Sequence, residues 1–93
     1  MALNILWSQE AIDDIESIAN YIQKDSLQYA KSVVQTFFSK VEILTEFPLI
    51  GRVVPEYDNE NIRELFIYSY RLIYNIEANS IHIIAVIHGK RLI

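Results

Sequence analysis

The four arginines of the chain all lie in its second half, at Arg52, Arg63, Arg71 and Arg91. A guanidinium group presents several N–H donors in a flat fork, which matches the geometry of phosphate and carboxylate groups. Each arginine stands next to apolar residues typical of strands or turns. We therefore expect a sheet that holds guanidinium groups on a surface for an anionic ligand or a specific partner.

The charge balance limits what this surface can bind. The 93 residues carry a net charge of −4, with a pI near 5.0. Residues 1–50 hold three basic and seven acidic residues, whereas residues 51–93 hold five of each. Proteins that bind nucleic acid non-specifically usually carry a basic excess, because phosphate neutralisation supplies most of the affinity. The composition therefore argues against broad nucleic-acid binding and leaves a local basic patch in the second half.

Length and composition predict a single domain spanning 1–93. The hydrophobic content of 52% is high for this size, so part of it is expected to face a partner. There is no cysteine, and no histidines or carboxylates have ligand spacing, so we expect no cofactor and no metal. The first residues do not resemble a signal peptide and the apolar runs are too short for a membrane span, which predicts a cytoplasmic protein.

The first half of the chain predicts a strand and two helices. A short strand over 3–7 is followed by Ser8 as N-cap of an amphipathic helix over 9–23. Asp25 or Ser26 caps a second helix, whose apolar stripe continues to a stop before Phe47 and the following proline. Only about three residues join the two helices, so they are expected to be antiparallel neighbours.

The second half has the two-residue periodicity of β-strands. Residues 62–68, 70–76 and 81–88 form three such runs with short breaks, which predicts antiparallel hairpins. Strict alternation in the last run places Ile81, Ile83, Ala85 and Ile87 on one face. The predicted fold is therefore α+β, with an N-terminal strand and an antiparallel helical hairpin packed on an antiparallel sheet in the order β-α-α-β-β-β.

The order and spacing of short motifs resemble a known family. The motifs are Trp7, Ala11, Asp14-Ile15, Tyr21-Ile22, Phe47-Pro48, Gly51-Arg52, Pro55-Glu56, Ile62-Arg63-Glu64-Leu65, Tyr70-Arg71-Leu72-Ile73-Tyr74 and His88-Gly89-Lys90-Arg91. Together they resemble the RelE/ParE superfamily of toxins, which belong to type II toxin–antitoxin and plasmid-stabilisation systems. The resemblance implies one of two activities. RelE-like members cleave mRNA in the ribosome, whereas ParE-like members inhibit DNA gyrase by binding it.

If the RelE-like activity applies, the resemblance assigns four residues to catalysis. Metal-free cleavage of RNA needs a base for the 2′-hydroxyl, an acid for the leaving oxygen and cations against the transition state. Arg63 and Arg71 are the candidate cations. Glu56 is the candidate base, and His88 is the candidate acid because an imidazole titrates near neutral pH.

Each of these residues also has a structural interpretation. Arg71 pairs with a sheet carboxylate such as Glu64 or Glu56, and Arg63 forms a surface ion pair. Glu56 is an exposed loop residue, and His88 bonds a nearby carbonyl.

The Gly51-Arg52 pair follows the expected end of the second helix. There we expect Gly51 in a turn with positive φ and Arg52 as a cap for the carbonyls of the helical end.

The chain departs from the RelE-like pattern in ways that favour the ParE-like activity. Lys90 is the only lysine of the second half, no tyrosine follows Tyr74, and the low pI suits ribosome-bound mRNA poorly. We therefore expect a gyrase-binding toxin. The alternatives are a ribosome-dependent mRNA endoribonuclease and a non-toxic relict that acts as an antitoxin-binding co-repressor.

The resemblance also implies a cognate antitoxin that wraps the toxin with a helix and an extended segment. Operator DNA is then reached only through the antitoxin, and no membrane is involved. The antitoxin is expected on Ile73, Ile84 and Val86 of the sheet, or on the outer helix surface around Tyr21 and Tyr29.

Overall fold

A computed structural model describes residues 3–92; Met1, Ala2 and Ile93 of the expected domain lie outside the described residues. The described chain has the α+β architecture that the sequence predicts, and none of its helices is long and apolar enough to cross a bilayer. The elements in chain order are β1 (Asn4–Trp7), α1 (Gln9–Gln23), α2 (Leu27–Lys40), two 3₁₀ turns (Val41–Thr45 and Pro48–Ile50), β2 (Arg52–Val53), β3 (Ile62–Ile67), β4 (Tyr70–Ile76) and β5 (Ser80–His88).

Two serines begin the helices. The Ser8 hydroxyl accepts a hydrogen bond from the Ala11 amide at 3.0 Å, and the Ser26 hydroxyl accepts one from the Tyr29 amide at 3.1 Å. Each bond satisfies one of the amides that a helix leaves without a partner at its first turn. Both predicted caps are therefore confirmed. The α2 helix then tightens into the first 3₁₀ turn instead of continuing as α-helix towards the proline.

The sheet has the strand order β1-β5-β4-β3-β2. Strands β3, β4 and β5 form the predicted antiparallel hairpins. The expectation of a purely antiparallel sheet was wrong at the edge formed by β1, and the strand at the other edge was not predicted. The first strand lies parallel to β5, because the two helices between them give the long crossover that a parallel pairing needs. The two residues of β2 add a fifth strand beside β3.

A β-bulge in β5 changes which side chains face the helices. The pairing with β4 shifts by one residue at this point, so Ile84 is the extra residue of β5. Ile83 and Val86 both belong to the buried cluster under the helices, whereas Ala85 and Ile87 line a pocket on the other side of the strand. The expectation from strict alternation, which grouped Ile83 with Ala85 and Ile87, is therefore wrong.

The first turns of α1 supply hydrogen bonds to β5 where β1 ends. The Ser8 amide donates to the Ile83 carbonyl at 3.0 Å, and its hydroxyl donates to the Ile84 carbonyl at 2.9 Å. Asp14 Oδ2 then accepts from the Val86 amide at 2.9 Å. Buried backbone groups must find partners, and these two side chains act in place of a neighbouring strand.

The hydrophobic core lies between the two helices and the face of the sheet that we call the helix face. The apolar stripes of both helices meet side chains of β3, β4 and β5 there, as the amphipathic pattern predicts. Trp7 and Phe38 close one side, with ring centroids 4.7 Å apart. The core cluster consists of Ala11, Ile15, Val33, Phe37, Val41, Leu44, Ile67, Leu72, Tyr74, Ile81, Ile83 and Val86.

Tyr74 fixes the second 3₁₀ turn from inside this core. Its hydroxyl donates to the Pro48 carbonyl at 2.7 Å and accepts from the Gly51 amide at 3.0 Å. Gly51 has φ of −75°, so the expectation of a positive φ was wrong. A Cβ at this position would collide with the Tyr74 hydroxyl and lie 2.7 Å from the Glu64 carbonyl oxygen. Glycine is needed here because two neighbours approach closely.

Replacing Tyr74 by phenylalanine tests this anchor. The change leaves the Gly51 amide and the Pro48 carbonyl without their partner, so Tyr74→Phe is expected to lower the free energy of unfolding by about 1–3 kcal/mol. The measurement is urea unfolding at neutral pH. Tyr21→Phe is the control, because that ring is 71% exposed and the change should leave stability unaltered.

The wild type and Tyr74→Phe also test how the free energy of unfolding depends on pH. Burial raises the pKa of Tyr74 in the folded protein. The unfolded tyrosine therefore ionises first, and wild-type stability should fall as the pH rises from about 10 through the folded pKa. Tyr74→Phe lacks this loss, so the difference in unfolding free energy between the two proteins should shrink above that pH. A constant difference across the alkaline range would contradict the assignment.

Candidate functional site

The face of the sheet opposite the helices carries several charged side chains, and we call it the outer face. Residues paired across neighbouring strands point to the same side of a sheet. The register pairs Arg52 with Glu64, Glu64 with Ile73, and Phe66 with Arg71. Since alternate residues of a strand point to opposite faces, these side chains all point away from the core cluster.

Four residues form a continuous chain of ion pairs on the outer face, and we call them the charge chain: Arg52, Glu64, Arg71 and Glu56. Arg71 Nε donates to one oxygen of Glu64 at 2.7 Å. The other Glu64 oxygen accepts from Arg52, whose Nε lies 2.9 Å away. The outer nitrogens of Arg71 bind both oxygens of Glu56, at 2.8 and 2.9 Å. Positive and negative groups therefore alternate along the chain.

The centre of the charge chain is buried. The Glu64 side chain is fully covered and that of Arg71 is 5% exposed, whereas Arg52 at the end of the chain is 58% exposed. A buried ion is costly unless an opposite charge and hydrogen bonds compensate for the lost water. The hydrogen bonds that Arg71 donates to Glu56 and Glu64 raise the pKa of Arg71 above its ordinary value despite its burial. Arg71 therefore remains charged and is satisfied inside the protein.

Arg71 has little hydrogen-bonding capacity left for a ligand. Besides its carboxylate partners, it donates to the carbonyl of Arg91 at 2.9 Å. Four of the five N–H donors of a guanidinium are thereby engaged. The geometry matches the structural interpretation of Arg71, a sheet arginine that pairs with Glu64 and Glu56. The pairing also joins the loop that carries Glu56 to the residues after β5.

The Arg63 side chain lies on the other side of the sheet, where it donates hydrogen bonds to backbone carbonyls. It pairs with Tyr74 in the register and therefore shares the helix face. Its Nε donates to the Glu60 carbonyl at 2.8 Å, and one outer nitrogen reaches the carbonyls of Leu49 and Gly51 at 3.2 and 2.9 Å. The surface ion pair expected for Arg63 does not form among the described residues. Arg63 caps the carbonyls of the 3₁₀ turn, which is the role that the sequence suggested for Arg52.

His88 is also on the helix face, at the end of β5. It pairs with Tyr70 in the register, and the two rings lie 5.9 Å apart in an edge-to-face contact. Its Nδ1 lies 3.3 Å from the Lys90 amide, so this histidine accepts a backbone N–H instead of binding a carbonyl. The side chain is exposed and leaves the ring accessible to a partner.

The four residues assigned by the ribonuclease alternative do not meet at one site. Arg71 and Glu56 lie together on the outer face, whereas Arg63 and His88 are on the helix face. Arg63 and His88 are also far apart, because their β4 partners are separated by four residues, which is about 13 Å along a strand. The structure therefore brings together one cation and one carboxylate, in an ion pair with each other.

The two surfaces expected to receive an antitoxin differ in the structure. Val86 is 3% exposed and Ile73 is 2% exposed, and Val86 belongs to the core because of the bulge. Ile73 and Val86 therefore offer no exposed surface, whereas Ile84, the third residue of that expectation, is partly exposed and lines a pocket. Tyr21 and Tyr29 are 71% and 51% exposed, beside a cleft of about 520 Å³ that Tyr68 and the end of β5 complete.

A second exposed apolar surface was missed by the sequence analysis. Phe47, Leu49 and Ile50 of the second 3₁₀ turn are each more than half exposed, although hydrogen bonds from Tyr74 and Arg63 hold the turn in place. Three large apolar residues around a proline in a turn are unusual for a solvent-facing loop. That composition was the signal that could have identified this surface.

Sequence comparison decides the family. A family model described as "ParE toxin of type II toxin-antitoxin system, parDE" matches residues 5–93. The chain belongs to the ParE toxin family. It is thus a type II toxin–antitoxin toxin of the RelE/ParE superfamily, as the motifs indicated. No protein of curated function matches the sequence significantly.

Solved structures place this ParE family member in the expected fold. The chromosomal ParDE TA system from P. aeruginosa matches with a TM-score of 0.79 and 17% identity, covering 96% of this chain and 98% of that one. The YoeB dimer from Staphylococcus aureus matches with a TM-score of 0.64 and 17% identity, covering 95% and 98%. The toxin–antitoxin complex RelBE2 from Mycobacterium tuberculosis gives 0.59 and 17%, covering 95% and 99%. At this identity the likeness concerns the fold alone.

The charge chain can be tested by removing a buried and an exposed arginine separately. Arg71→Ala removes the buried partner of Glu64 and leaves only the exposed Arg52 beside it. The free energy of unfolding should therefore fall by about 3–5 kcal/mol. Arg52→Ala removes a half-exposed partner and should cost about 0–1 kcal/mol. Denaturant unfolding measures both values. Equal losses for the two variants would contradict the central role of Arg71.

Proposed function

We propose that this protein acts by binding, as a ParE-like toxin that inhibits DNA gyrase in the cytoplasm and is neutralised by a cognate antitoxin. The observation that carries the proposal is the state of Arg71. A ribonuclease of this fold needs a cation that can approach a phosphate, and Arg71 is buried between two carboxylates. The charge chain has no net charge, so it offers a phosphate little attraction.

The separation of the other catalytic candidates supports the same proposal. General acid–base catalysis requires both groups within hydrogen-bond reach of the reacting atoms. Glu56 is held by Arg71 on the outer face, while His88 lies across the sheet. No acid–base pair faces a common site among these candidates. Binding needs no such convergence, and the exposed apolar surfaces of this protein suit it.

The proposed antitoxin partner rests on the family and on its relatives. The matching family model describes toxins of parDE systems, and the RelBE2 neighbour is a toxin–antitoxin complex. The exposed tyrosines of the helix surface, Tyr21 and Tyr29, offer a site for an amphipathic segment. With a net charge of −4, the toxin itself is a poor DNA ligand, so operator contact would be made by the antitoxin.

The direct test is supercoiling of relaxed plasmid by purified gyrase with increasing amounts of this protein. We expect dose-dependent inhibition and trapped cleaved DNA. His88→Ala is a matched variant, because the side chain is exposed and its loss should leave the fold and the inhibition unchanged. It separates binding from catalysis, since a general acid would be indispensable to a nuclease.

Two outcomes would contradict the proposal, and a third would change only the interpretation of His88. Ribosome-dependent cuts in mRNA on expression of the wild type, lost in His88→Ala, would establish the endoribonuclease alternative. Normal growth on expression without antitoxin, together with no effect on gyrase, would establish the non-toxic relict. If the folded His88→Ala variant no longer inhibits gyrase, His88 belongs to the interface with gyrase. The variant would then no longer separate binding from catalysis.

A further inference from the structure

A pocket of about 250 Å³ lies where the first turns of α1 cross β5. Five separate parts of the chain build it: α1, the loop before β3, the strands β4 and β5, and the residues after β5. Its floor is apolar and consists of Ile73, Ile84, Ala85 and Ile87. We call it the α1–β5 pocket. None of the catalytic candidates lines it.

One wall of the α1–β5 pocket is negatively charged. Glu10 and Asp14 line it and lie four residues apart, on the same side of α1. Residues Gln9–Gln23 include no lysine or arginine, so α1 itself supplies no compensating charge. Among residues 3–92, the ion pairs of the protein involve neither Glu10 nor Asp14. Two like charges at this spacing repel each other, and a cation placed between them would relieve the repulsion.

The β-bulge holds this wall in position. Asp14 Oδ2 accepts the Val86 amide at 2.9 Å, which fixes the carboxylate at the rim of the apolar floor. The opposite wall is carried by Arg91, whose carbonyl is bound by Arg71 of the charge chain. Both walls are therefore set by hydrogen bonds to the sheet, which gives the pocket its shape before a ligand arrives.

Floor and wall together select the ligand. A purely apolar side chain would remove water from Glu10 and Asp14 without replacing it, which is costly. Arg91 adds one positive charge to the lining, which leaves a net charge of −1 and still disfavours an anion. A lysine or arginine side chain satisfies both parts, since its stem covers apolar surface while its charged end meets a carboxylate. Tyr57 also lines the pocket and adds an aromatic ring, which attracts a cation.

We propose that the α1–β5 pocket is a binding site for one lysine or arginine side chain presented by a protein partner. The stem lies on Ile84 and Ile87, which are partly exposed, and the cationic end lies between Glu10 and Asp14. The site is independent of the charge chain's own ion pairs and of whether gyrase is the target. It adds a specificity contact to a toxin that binds proteins.

The pocket can be probed with single capped amino acids and isotope-labelled protein. We expect N-acetyl-lysinamide and N-acetyl-argininamide to cause saturable shifts in the amide signals of Tyr57, Ala85 and Ile87. A dissociation constant of about 1–10 mM is reasonable for one side chain. N-acetyl-norleucinamide has a comparable apolar stem and no charge, and it should bind at least about fivefold more weakly.

Two substitutions locate the binding. Glu10→Gln should weaken N-acetyl-lysinamide about three- to tenfold, the range of one partly exposed ion pair. Glu16→Gln is the matched control, because it removes the same charge from α1 at an exposed position outside the pocket. Asp14→Asn keeps an oxygen for the Val86 amide and should weaken the probe without disturbing the bulge.

The proposal is overturned if norleucinamide binds as well as lysinamide, or if the shifts do not saturate. Equal weakening by Glu10→Gln and Glu16→Gln would also overturn it, because binding would then follow the net charge of the helix. A third variant, Arg91→Gln, tests whether the chain fills its own pocket. Probe binding that occurs only in this variant would show that Arg91 is the natural occupant and would exclude a partner side chain.

Discussion

The buried ion pair between Glu64 and Arg71 is the contact on which the outer half of the molecule depends. It joins β3 to β4 at the centre of the sheet, and each member reaches outward to one more charge. Through Arg52 it holds β2, through Glu56 it holds the loop before β3, and through the Arg91 carbonyl it holds the residues after β5. Buried ions of this kind do not necessarily stabilise a fold more than apolar residues would. They do require specific geometry, and here one carboxylate and one guanidinium together position β2, the loop before β3 and the residues after β5.

This arrangement explains how one fold can serve different activities. The sheet and helical hairpin are shared with the ParDE, YoeB and RelBE2 structures, so the fold alone does not determine the chemistry. An arginine in the middle of β4 contributes to catalysis only if its charge is available. In this chain the charge of Arg71 is neutralised by ion pairs with Glu56 and Glu64. The accessible surface includes several large apolar and aromatic side chains, which are suited to protein partners.

The sequence predicts the local structure well and the long-range structure less well. The caps at Ser8 and Ser26 and the three strand runs could be recognised because each depends on neighbouring residues. The two-residue strand β2 and the parallel pairing of β1 could not, since neither has a periodic pattern of its own. The bulge at Ile84 is set by the geometry between β5 and the start of α1, and it reverses the faces of every later residue in the strand.

The candidate site shows the same division. The pairing of Arg71 with Glu64 or Glu56 was among the alternatives that the sequence offered, because the three residues lie in neighbouring elements. Choosing it over a ligand-binding arginine required the register and the burial. The role of Arg63 could not be foreseen, since its partners are backbone carbonyls of a turn. The sequence indicated that position 51 needs glycine but attributed this to a positive φ. The cause is the close approach of Tyr74, which the residues around Gly51 do not indicate.

The pairing of β1 with β5 joins residues 4–7 to residues 80–83, so the paired residues lie 76 positions apart in the sequence. Contacts between such distant parts of a chain form late and slowly, since a long loop must be closed before they contribute. During synthesis the nascent protein therefore has its helices but cannot complete its sheet until β5 has emerged. In the sheet, β5 lies between β1 and β4, so β1 has no strand partner until β5 has been made.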